Sequence, residues 1–334
     1  MKTIGNLTEN ELKNKRVFLR LDLNVPMADG KIVDDFRIRK VLPTIQFLKK
    51  AGARLIIAYH LDGQHSVSND LVWYNLWHYF RPYLDDRDEI LPNLRSHPGE
   101  EANDLEFAKE LASKADLYVN EAFSASHREH ASIVSLPKFL PSYAGILFES
   151  EIANLSRAFR PEHPFLFILG GAKLETKVPL LLKFLNIADH IFVGGSLCVK
   201  FFEKDNLIKG MLNNAKILLP EKVVREAERV MDVDTESFEK IKEKFSEAKL
   251  ILWNGPMGFY EKGYVAGSLA LAKLIAQSGA YSIVGGGDTT AVLRESGLLD
   301  GKASGGFDFV STGGGAMLQF LATGTLPGID ALHE

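Results

Sequence analysis

The sequence is poor in cysteine, in long apolar runs and in net charge, and each shortage excludes a class of protein. Its single cysteine, Cys198, rules out an internal disulfide framework. It has no run of 18 or more apolar residues and no leading apolar signal segment, which argues against a membrane-spanning or exported chain. A formal net charge of −4 gives no basic field for nucleic acid or an anionic membrane. We therefore expect a cytoplasmic protein without nucleic-acid or membrane partners.

The composition predicts a chain that folds throughout into two domains. Its 334 residues exceed the roughly 100–200 residues of a typical single domain. Apolar residues make up 46% and charged residues 25%, which is typical of globular proteins. We place the first domain at residues 1–147, a connecting helix at 148–160 and the second domain at 161–322. The tail, residues 323–334, is expected to return to the first domain.

Short apolar runs that end in glycine or polar residues, each followed by a helical pattern, recur along the chain. In the second half, the predicted strands cover residues 165–169, 191–193, 250–253, 281–284 and 307–310. This alternation is typical of βαβ units. It predicts an α/β fold of two Rossmann-like domains, each with a parallel β-sheet flanked by helices, facing a central cleft. The highly charged stretch 221–248 is predicted to form solvated helices.

Glycine-rich turns follow four of the predicted strands, at the sheet edge where parallel strands end and helices begin. They are Gly170-Gly171, Gly194-Gly195, Gly285-Gly286-Gly287 and Gly313-Gly314-Gly315. Glycine lets the backbone approach an oxyanion closely, and helix amino ends supply N–H donors. The sequence has neither a Walker A loop nor a clean G-x-G-x-x-G fingerprint, so the turns indicate a phosphate site of another kind.

Side chains beside these turns add candidates for phosphate and metal binding. Asp288 and Thr289 are oxygen ligands of the kind that Mg²⁺ prefers, although Asp and Thr also favour helix N-caps without any ligand. Lys173 and Lys177 lie four residues apart on a predicted helix that begins at Gly171, so they share one face. Lysines are disfavoured near a positive helix terminus, which makes a nearby anion the better explanation.

In the first half of the chain, basic side chains lie at or just past the ends of the predicted strands. The cluster comprises Arg20, Arg37, Arg95 and Arg128 with His60, His127 and His130. Each alone is an ordinary surface residue, but together their guanidinium groups suit paired hydrogen bonds to phosphate or carboxylate. Asp22 and Asn24 are candidates to orient a ligand hydroxyl or an arginine. We therefore predict that side chains bind a small anion in the first domain, whereas backbone amides bind phosphates in the second.

In this order along the chain, the residues resemble the phosphoglycerate kinase family over nearly the whole length. The segments that carry the resemblance are the stretch from Lys15-Arg16-Val17 to Asn24-Val25-Pro26, Asp34-Asp35-Phe36-Arg37-Ile38, Asn93-Leu94-Arg95, Asn120-Glu121-Ala122-Phe123, His127-Arg128-Glu129-His130, Gly170-Gly171-Ala172-Lys173, Trp253-Asn254-Gly255-Pro256-Met257-Gly258 and residues 285–288 and 311–316.

The resemblance implies a monomeric, bilobed enzyme of glycolysis that transfers a phosphoryl group in line between 1,3-bisphosphoglycerate and ADP after hinge closure. The first domain would bind 3-phosphoglycerate through Arg20, Asp22, Asn24, Arg37, His60, Arg95 and Arg128. The second would bind ADP or ATP with Mg²⁺ through Gly171, Lys173, Lys177, Gly195, Asn254, Pro256, Gly258, Glu261, Gly286, Gly287, Asp288 and Thr289. Asp288 would hold the metal, and Arg37, Lys173, Gly313 and Gly314 would act on the transferring group.

Two departures from the family pattern are visible. The turn Tyr59-His60-Leu61-Asp62-Gly63-Gln64 replaces a Ser-His-Leu-Gly-Arg-Pro turn, so one phosphate-binding arginine is missing and a carboxylate stands beside its place. The chain is also several dozen residues shorter, after Gln64 and between positions 210 and 249, where a segment with an Asp-Ile-Gly-Pro type motif would contribute to the adenine pocket. Weaker phosphate and base binding are expected.

Two other functions remain open from the sequence. The altered turn at Asp62 is compatible with a kinase for a different acyl phosphate. The shortened second domain is compatible with a non-catalytic nucleotide-binding protein.

Overall fold

A computed structural model describes residues 1–28, 31–62, 69–172, 174–203, 208, 211, 214–301 and 305–333. Backbone contacts divide the chain into two compact units. The first comprises Met1–Ile152 with Thr325–Glu334, and the second comprises Ala153–Gly324. Within the described ranges, none of the helices combines the length and the apolar character needed to span a membrane.

The first unit contains a five-stranded parallel sheet. Its strands are β1 (Arg16–Arg20), β4 (Arg54–Ala58), β5 (Glu89–Ile90), β6 (Leu117–Asn120) and β7 (Ser142–Ala144), beside the short hairpin β2 (Met27–Ala28) and β3 (Lys31–Ile32). The helices are α1 (Glu9–Leu12), α2 (Phe36–Lys50), α3 (Asn69–Phe80), α4 (Pro98–Glu101), α5 (Leu105–Ser113) and α6 (Ile146–Ser156). The strand order is β5-β4-β1-β6-β7. Val17, Phe18 and Leu19 of β1 are fully buried on both faces, as a helix-covered parallel sheet requires.

The second unit contains a six-stranded parallel sheet in the order β10-β9-β8-β13-β14-β15. Its strands are β8 (Phe165–Leu169), β9 (His190–Val193), β10 (Ile217–Leu218), β13 (Leu250–Asn254), β14 (Tyr281–Gly285) and β15 (Phe309–Ser311), beside the antiparallel hairpin β11 (Val223–Glu226) and β12 (Arg229–Val233). The helices are α7 (Leu174–Phe184), α8 (Leu197–Phe202), α9 (Lys242–Glu247), α10 (Ala266–Gln277), α11 (Gly287–Leu293) and α12 (Gly314–Thr323). The predicted α/β fold with parallel sheets is confirmed.

The prediction of helices throughout 221–248 is wrong in its first half, where β11 and β12 form. Valines recur at 223, 224, 230 and 233, and branched side chains fit a pleated strand better than a helix. Ala227 has a left-handed φ of 51°, which makes the tight turn. Met231, Asp232 and Val233 of β12 are buried. The high charge of the stretch concealed this valine content in the sequence.

The carboxy-terminal segment packs within the first unit through α13 (Pro327–Asp330). The N–H of Gly328 donates to the carbonyl oxygen of Ser126 over 2.9 Å. A Cβ at Gly328 would lie 2.6 Å from the Ser126 side chain, so the close approach depends on glycine.

A buried carboxylate holds the start of α6. Glu121 follows β6 with no exposed surface and accepts the N–H groups of Leu147 at 2.9 Å and Phe148 at 3.0 Å. These are N–H groups of the first helical turn, which lack partners inside the helix. Burial raises the pKa of Glu121 to about 7. The division between the two units falls within α6, after Ile152.

Candidate active site

The first unit brings polar side chains together where its strands end. The chain passes from β1 outward to β4 on one side and later to β6 on the other, and open α/β sheets bind ligands at such a reversal. The predicted residues lie at β1 or just after it (Arg20, Asp22, Asn24), after β4 (His60), after β5 (Arg95), after β6 (Arg128) and in the first turn of α2 (Arg37).

Arg20 lies beneath this edge and has no exposed surface. Its Nε donates to Ser132 Oγ over 2.8 Å, and its Nη2 lies 3.0 Å from Nδ1 of His60. Since a guanidinium can only donate, His60 accepts there and must be unprotonated on that nitrogen. Burial, followed by the neighbouring cations, lowers the pKa of His60 well below its usual value. Direct contact of Arg20 with a substrate does not fit its burial, and orienting His60 fits better.

Arg37 is held by the residues that follow β1. Its Nη1 donates to Asp22 Oδ2 over 2.7 Å and to the carbonyl oxygen of Asn24 over 3.1 Å. Asp22 is buried, and it also accepts hydrogen bonds from the Ser124 hydroxyl and the Asn24 N–H. These contacts fix one nitrogen of Arg37, while about a quarter of its side chain stays exposed.

Arg95 forms an ion pair with Asp62 and lies 3.4 Å from Oε1 of Glu101. Asp62 also accepts a hydrogen bond from Asn24 Nδ2 at 3.0 Å. The carboxylate that stands beside the place of the expected arginine thus contacts two residues of the predicted substrate site. Gly63 and Gln64 of the same turn lie outside the described residues.

Buried nitrogens without hydrogen-bond partners lie at this edge. Nη2 of Arg95 and Nδ1 of His130 have no hydrogen-bond partner among the described residues. Burial lowers the pKa of both Arg95 and His130, and the guanidinium of Arg128 adds to the lowering in each case. Buried polar groups are normally hydrogen-bonded, so donors left open in a positive field favour an anionic ligand.

In the second unit, the strand order reverses between β9 and β13, on either side of β8. The turns that follow β8 and β13 there lie backbone against backbone. The N–H of Gly170 donates to Asn254 O and that of Gly171 to Pro256 O, both over 2.8 Å. A Cβ at Gly170 would overlap the carbonyl oxygens of Gly255 and Pro256. Glycine is therefore required at position 170 by contact, before any ligand is considered.

The side chain of Lys177, in α7, lies against the two turns that follow β8 and β13. Its buried Nζ donates to the carbonyl oxygen of Gly170. A Cβ at Gly171 would lie 2.9 Å from that nitrogen, and one at Gly255 would lie 2.8 Å from it. Burial lowers the pKa of Lys177 to about 8, although Asp288 opposes the shift. Lys173, the other predicted lysine, lies outside the described residues.

Two adjoining cavities open at this edge and share Gly171, Ala172, Pro256, Glu261 and Asp288. The glycine-lined cavity, of about 730 Å³, also has Lys177, Asn254, Gly286, Gly287, Gly314 and Gly315 in its wall. The other cavity, called the hairpin cavity, has a volume of about 490 Å³. Its wall combines apolar side chains with charged ones: Val199, Val230, Met231 and Phe259 with Lys200, Glu203, Glu228 and Arg229. One end of this groove thus offers glycine backbone, and the other offers a mixture of apolar and charged side chains.

The predicted residues of the second unit take different positions around these cavities. Asp288 and Glu261 line both of them, and Tyr260 Oη lies 3.4 Å from Asp288 Oδ1. Thr289 is fully buried, and its Oγ1 accepts the N–H of Gly255 at 2.8 Å, so its hydroxyl already supports the turn. Gly313 is the N-cap residue of α12, and a Cβ at Gly195 would lie 2.7 Å from Gly171 N.

The hairpin supplies a wall that the sequence analysis missed. Glu228, Arg229, Val230 and Met231 line the hairpin cavity. The expectation that the shortened chain binds the base more weakly stays a prediction. Asp232 anchors the hairpin by accepting the Gly267 N–H at 3.0 Å, next to the first turn of α10. The valines on both sides of Ala227 are the signal that could have revealed it.

Together, the unpartnered buried nitrogens at the strand ends of one parallel sheet and the glycine-lined groove with a buried lysine at those of another fit a phosphotransferase. The family model for phosphoglycerate kinase matches residues 7–78, 85–216 and 205–324. The chain belongs to the phosphoglycerate kinase family.

Individual relatives agree over the full length. The chain is 36% identical to the phosphoglycerate kinase of Dictyoglomus turgidum, covering all of this chain and 99% of that one. The crystal structure of the Pyrococcus horikoshii enzyme, 29% identical, has a TM-score of 0.86 and covers all of this chain and 98% of that one. The structure of the Coxiella burnetii enzyme, 32% identical, has a TM-score of 0.83 and covers 99% of this chain and 98% of that one. The alignment to the Dictyoglomus enzyme spans 397 positions against 334 residues here, so that relative has segments that this chain lacks.

The contact at Gly170 leads to a prediction about stability. We expect Gly170→Ala to lower the free energy of unfolding by about 3 kcal/mol, because backbone atoms on the facing turn cannot move aside for a methyl group. Urea denaturation measures the loss. The matched control is Gly279→Ala, since a Cβ there meets nothing within 4 Å. Equal stability of the two variants would contradict the close approach of the two turns.

Proposed function

We propose that the chain catalyses reversible transfer of a phosphoryl group between 1,3-bisphosphoglycerate and ADP, giving 3-phosphoglycerate and ATP, as its family does. The observation that carries the proposal is the glycine-lined cavity with the buried Lys177 amine in its wall. The second substrate, the acid, binds at the acid site of the first unit. We also expect a monomer acting in the cytoplasm.

In the second unit, the nucleotide takes the whole groove. The hairpin cavity receives the base against Met231 and Phe259, and Glu261, which lines both cavities, accepts from the ribose hydroxyls. Phosphates then lie in the glycine-lined cavity beside Lys177, Gly314 and Gly315. Gly314 and Gly315 open α12, whose first N–H groups have no partners inside the helix and favour an anion.

The residues around Asp288 fit a magnesium ion that arrives with the nucleotide. Mg²⁺ is usually held by one or two carboxylates together with substrate phosphates and water. Asp288 presents one carboxylate to both cavities, and the described residues contain no group of three potential protein ligands. When bound, the ion would neutralise charge on the phosphates, and Asp288 would hold it.

In the first unit, the acid substrate is bound by Arg37, Asn24 and Asp22 at its reacting carboxylate end. The basic group of Arg95, Arg128 and His60 takes its phosphate, supported from below by Arg20. His60 acts here as a neutral donor or acceptor, because its pKa is lowered by burial. A phosphate oxygen would accept from the unpartnered Nη2 of Arg95, and from Nδ1 of His130 in the tautomer that carries its proton there.

The transfer itself needs positioning and charge stabilisation rather than a protein nucleophile. The acid carboxylate attacks the terminal phosphorus of ATP in line, and the ADP oxygen leaves. Arg37, fixed on one side by Asp22, stabilises the charge that spreads over the transferring group. The Gly314 amide and the Lys177 amine share this task, whereas the predicted Gly313 N–H already donates to Ser311 Oγ over 3.1 Å. Both substrates must come within reach of one another, which we assign to hinge movement around α6.

A kinase for a different acyl phosphate is the second candidate. The observation that favours it is the ion pair between Asp62 and Arg95, which places a negative charge at the edge where a substrate phosphate would bind.

A coupled assay with Mg-ATP and 3-phosphoglycerate tests the proposed function directly. We expect turnover that requires both substrates and stops when a chelator removes magnesium. Absence of turnover with 3-phosphoglycerate, together with turnover of another carboxylic acid, would select the second candidate instead.

Arg37→Ala tests the mechanistic assignment. We expect kcat to fall by about 10³-fold or more, because a positioned arginine contributes about that much in phosphoryl transfer. The KM for ATP should change little, since Arg37 lies in the acid-binding unit. Arg39→Ala is the control, because Arg39 lies on the same helix and pairs with Asp35 at the surface. Near-normal kcat in Arg37→Ala would remove Arg37 from the mechanism.

The lowered pKa of Lys177 predicts proton uptake on nucleotide binding. In the free protein the amine loses its proton as pH rises through about 8, and phosphate favours the charged form, so binding should take up protons near and above that pH. ADP affinity should therefore fall as pH rises from 8 to 9. Titration calorimetry in two buffers of different ionisation enthalpy measures the uptake. Lys177→Met should abolish it, whereas Lys273→Met, an exposed position on α10, should preserve it.

A further inference from the structure

Asp62 sits at the acid site in a position fixed by both its backbone and its neighbours. Its N–H donates to Asn24 Oδ1 over 3.2 Å, while Asn24 Nδ2 donates back to its Oδ2 over 3.0 Å. The preceding residue, Leu61, exchanges two further hydrogen bonds with the side chain of Asn93, at 3.2 and 3.1 Å. The turn is thereby held against both the β1 end and the segment that carries Arg95.

The carboxylate of Asp62 pairs with the guanidinium of Arg95, which is only 10% exposed. Burial lowers the pKa of Arg95, the guanidinium groups of Arg128 and Arg20 add to the lowering, and Glu101 and Glu100 oppose it. A carboxylate in contact with this confined guanidinium is strongly attracted to it. Asp62 contacts Nη1 of Arg95 and Nδ2 of Asn24 in the way that an oxygen of a bound anion would, and Nη2 of Arg95 has no partner among the described residues.

We propose that Asp62 is an internal competitor that sets the affinity of the acid site: its carboxylate occupies the Arg95 guanidinium and the Asn24 amide, and an acid substrate must displace it. This role of Asp62 rests on the proposed function in one respect, the assignment of Arg95 and Asn24 to the acid substrate. The apparent dissociation constant equals the intrinsic one divided by the fraction of molecules in which the site is free. Asp62 lowers that fraction.

The exposure of the two partners permits the displacement. The Asp62 side chain is 41% exposed, so it can turn into water, whereas Arg95 is confined. Once displaced, the carboxylate stays close to a bound phosphate and repels it. Both effects weaken binding of the acid in its ground state, and neither involves the transferring group.

The test compares the wild type with Asp62→Asn by titration calorimetry with 3-phosphoglycerate in the absence of nucleotide. Asparagine keeps the size and one oxygen for Asn24 but removes the charge. We expect the dissociation constant to fall roughly tenfold, as the loss of a charge-assisted contact implies. The affinity for ADP, which is assigned to the second unit, should stay within twofold. The control Glu106→Gln removes the same charge from an exposed pair with Lys109 in the same unit and should change nothing.

The outcomes separate this proposal from the proposed function. An unchanged dissociation constant in Asp62→Asn would overturn it, and weaker binding would show instead that Asp62 orients Arg95 for the substrate. Failure of both variants to bind 3-phosphoglycerate would also overturn it. If Asp62→Asn binds more tightly but neither variant turns over, the competitor stands and the proposed reaction fails. Turnover by both variants with equal KM for 3-phosphoglycerate would leave the reaction intact and remove the competitor.

Discussion

The reversal of strand order beside β1 and beside β8 is the constraint on which both candidate sites depend. At such a point, the chain leaves the sheet in opposite directions, and the turns after two neighbouring strands enclose a crevice. The first unit fills the rim of its crevice with arginine, histidine and carboxylate side chains. The second brings two backbone turns into contact at Gly170 and Pro256 and leaves the adjoining surface to glycines. The same topology therefore yields two chemically different sites.

Much of this arrangement could be predicted from the sequence, because apolar runs followed by glycine or charge locate the ends of parallel strands. β8 has the predicted bounds, and β13 and β14 each extend one residue further. The side chains after β1, β4 and β6 also lie at one edge, as the pattern requires. The predicted bounds were least accurate for β15, which begins at Phe309 and not at residue 307. Phe307 is instead buried beside Trp253, before the strand starts.

The rest depends on contacts between residues far apart in sequence, which no local pattern records. Arg20 is buried because Ser132 and His60 satisfy it, and Thr289 supports Gly255 because β13 and β14 are neighbours. The pairing of Asp62 with Arg95 joins segments that follow different strands. The charged residues of the β11 and β12 hairpin concealed it in the sequence, because such a charged stretch is also typical of a solvated helix.

Two arginines of the acid site are paired with carboxylates, and the difference between the pairs bears on function. Asp22 is 4% exposed and receives bonds from Arg37, Ser124 and the Asn24 N–H, so its release would leave a buried charge without partners. The Asp62 side chain is 41% exposed, so breaking its ion pair with Arg95 costs little free energy. Asp22 therefore acts as a permanent support that holds Arg37 in one orientation. Asp62 is a removable partner, and an incoming phosphate that offers Arg95 more acceptor oxygens than a carboxylate can replace it.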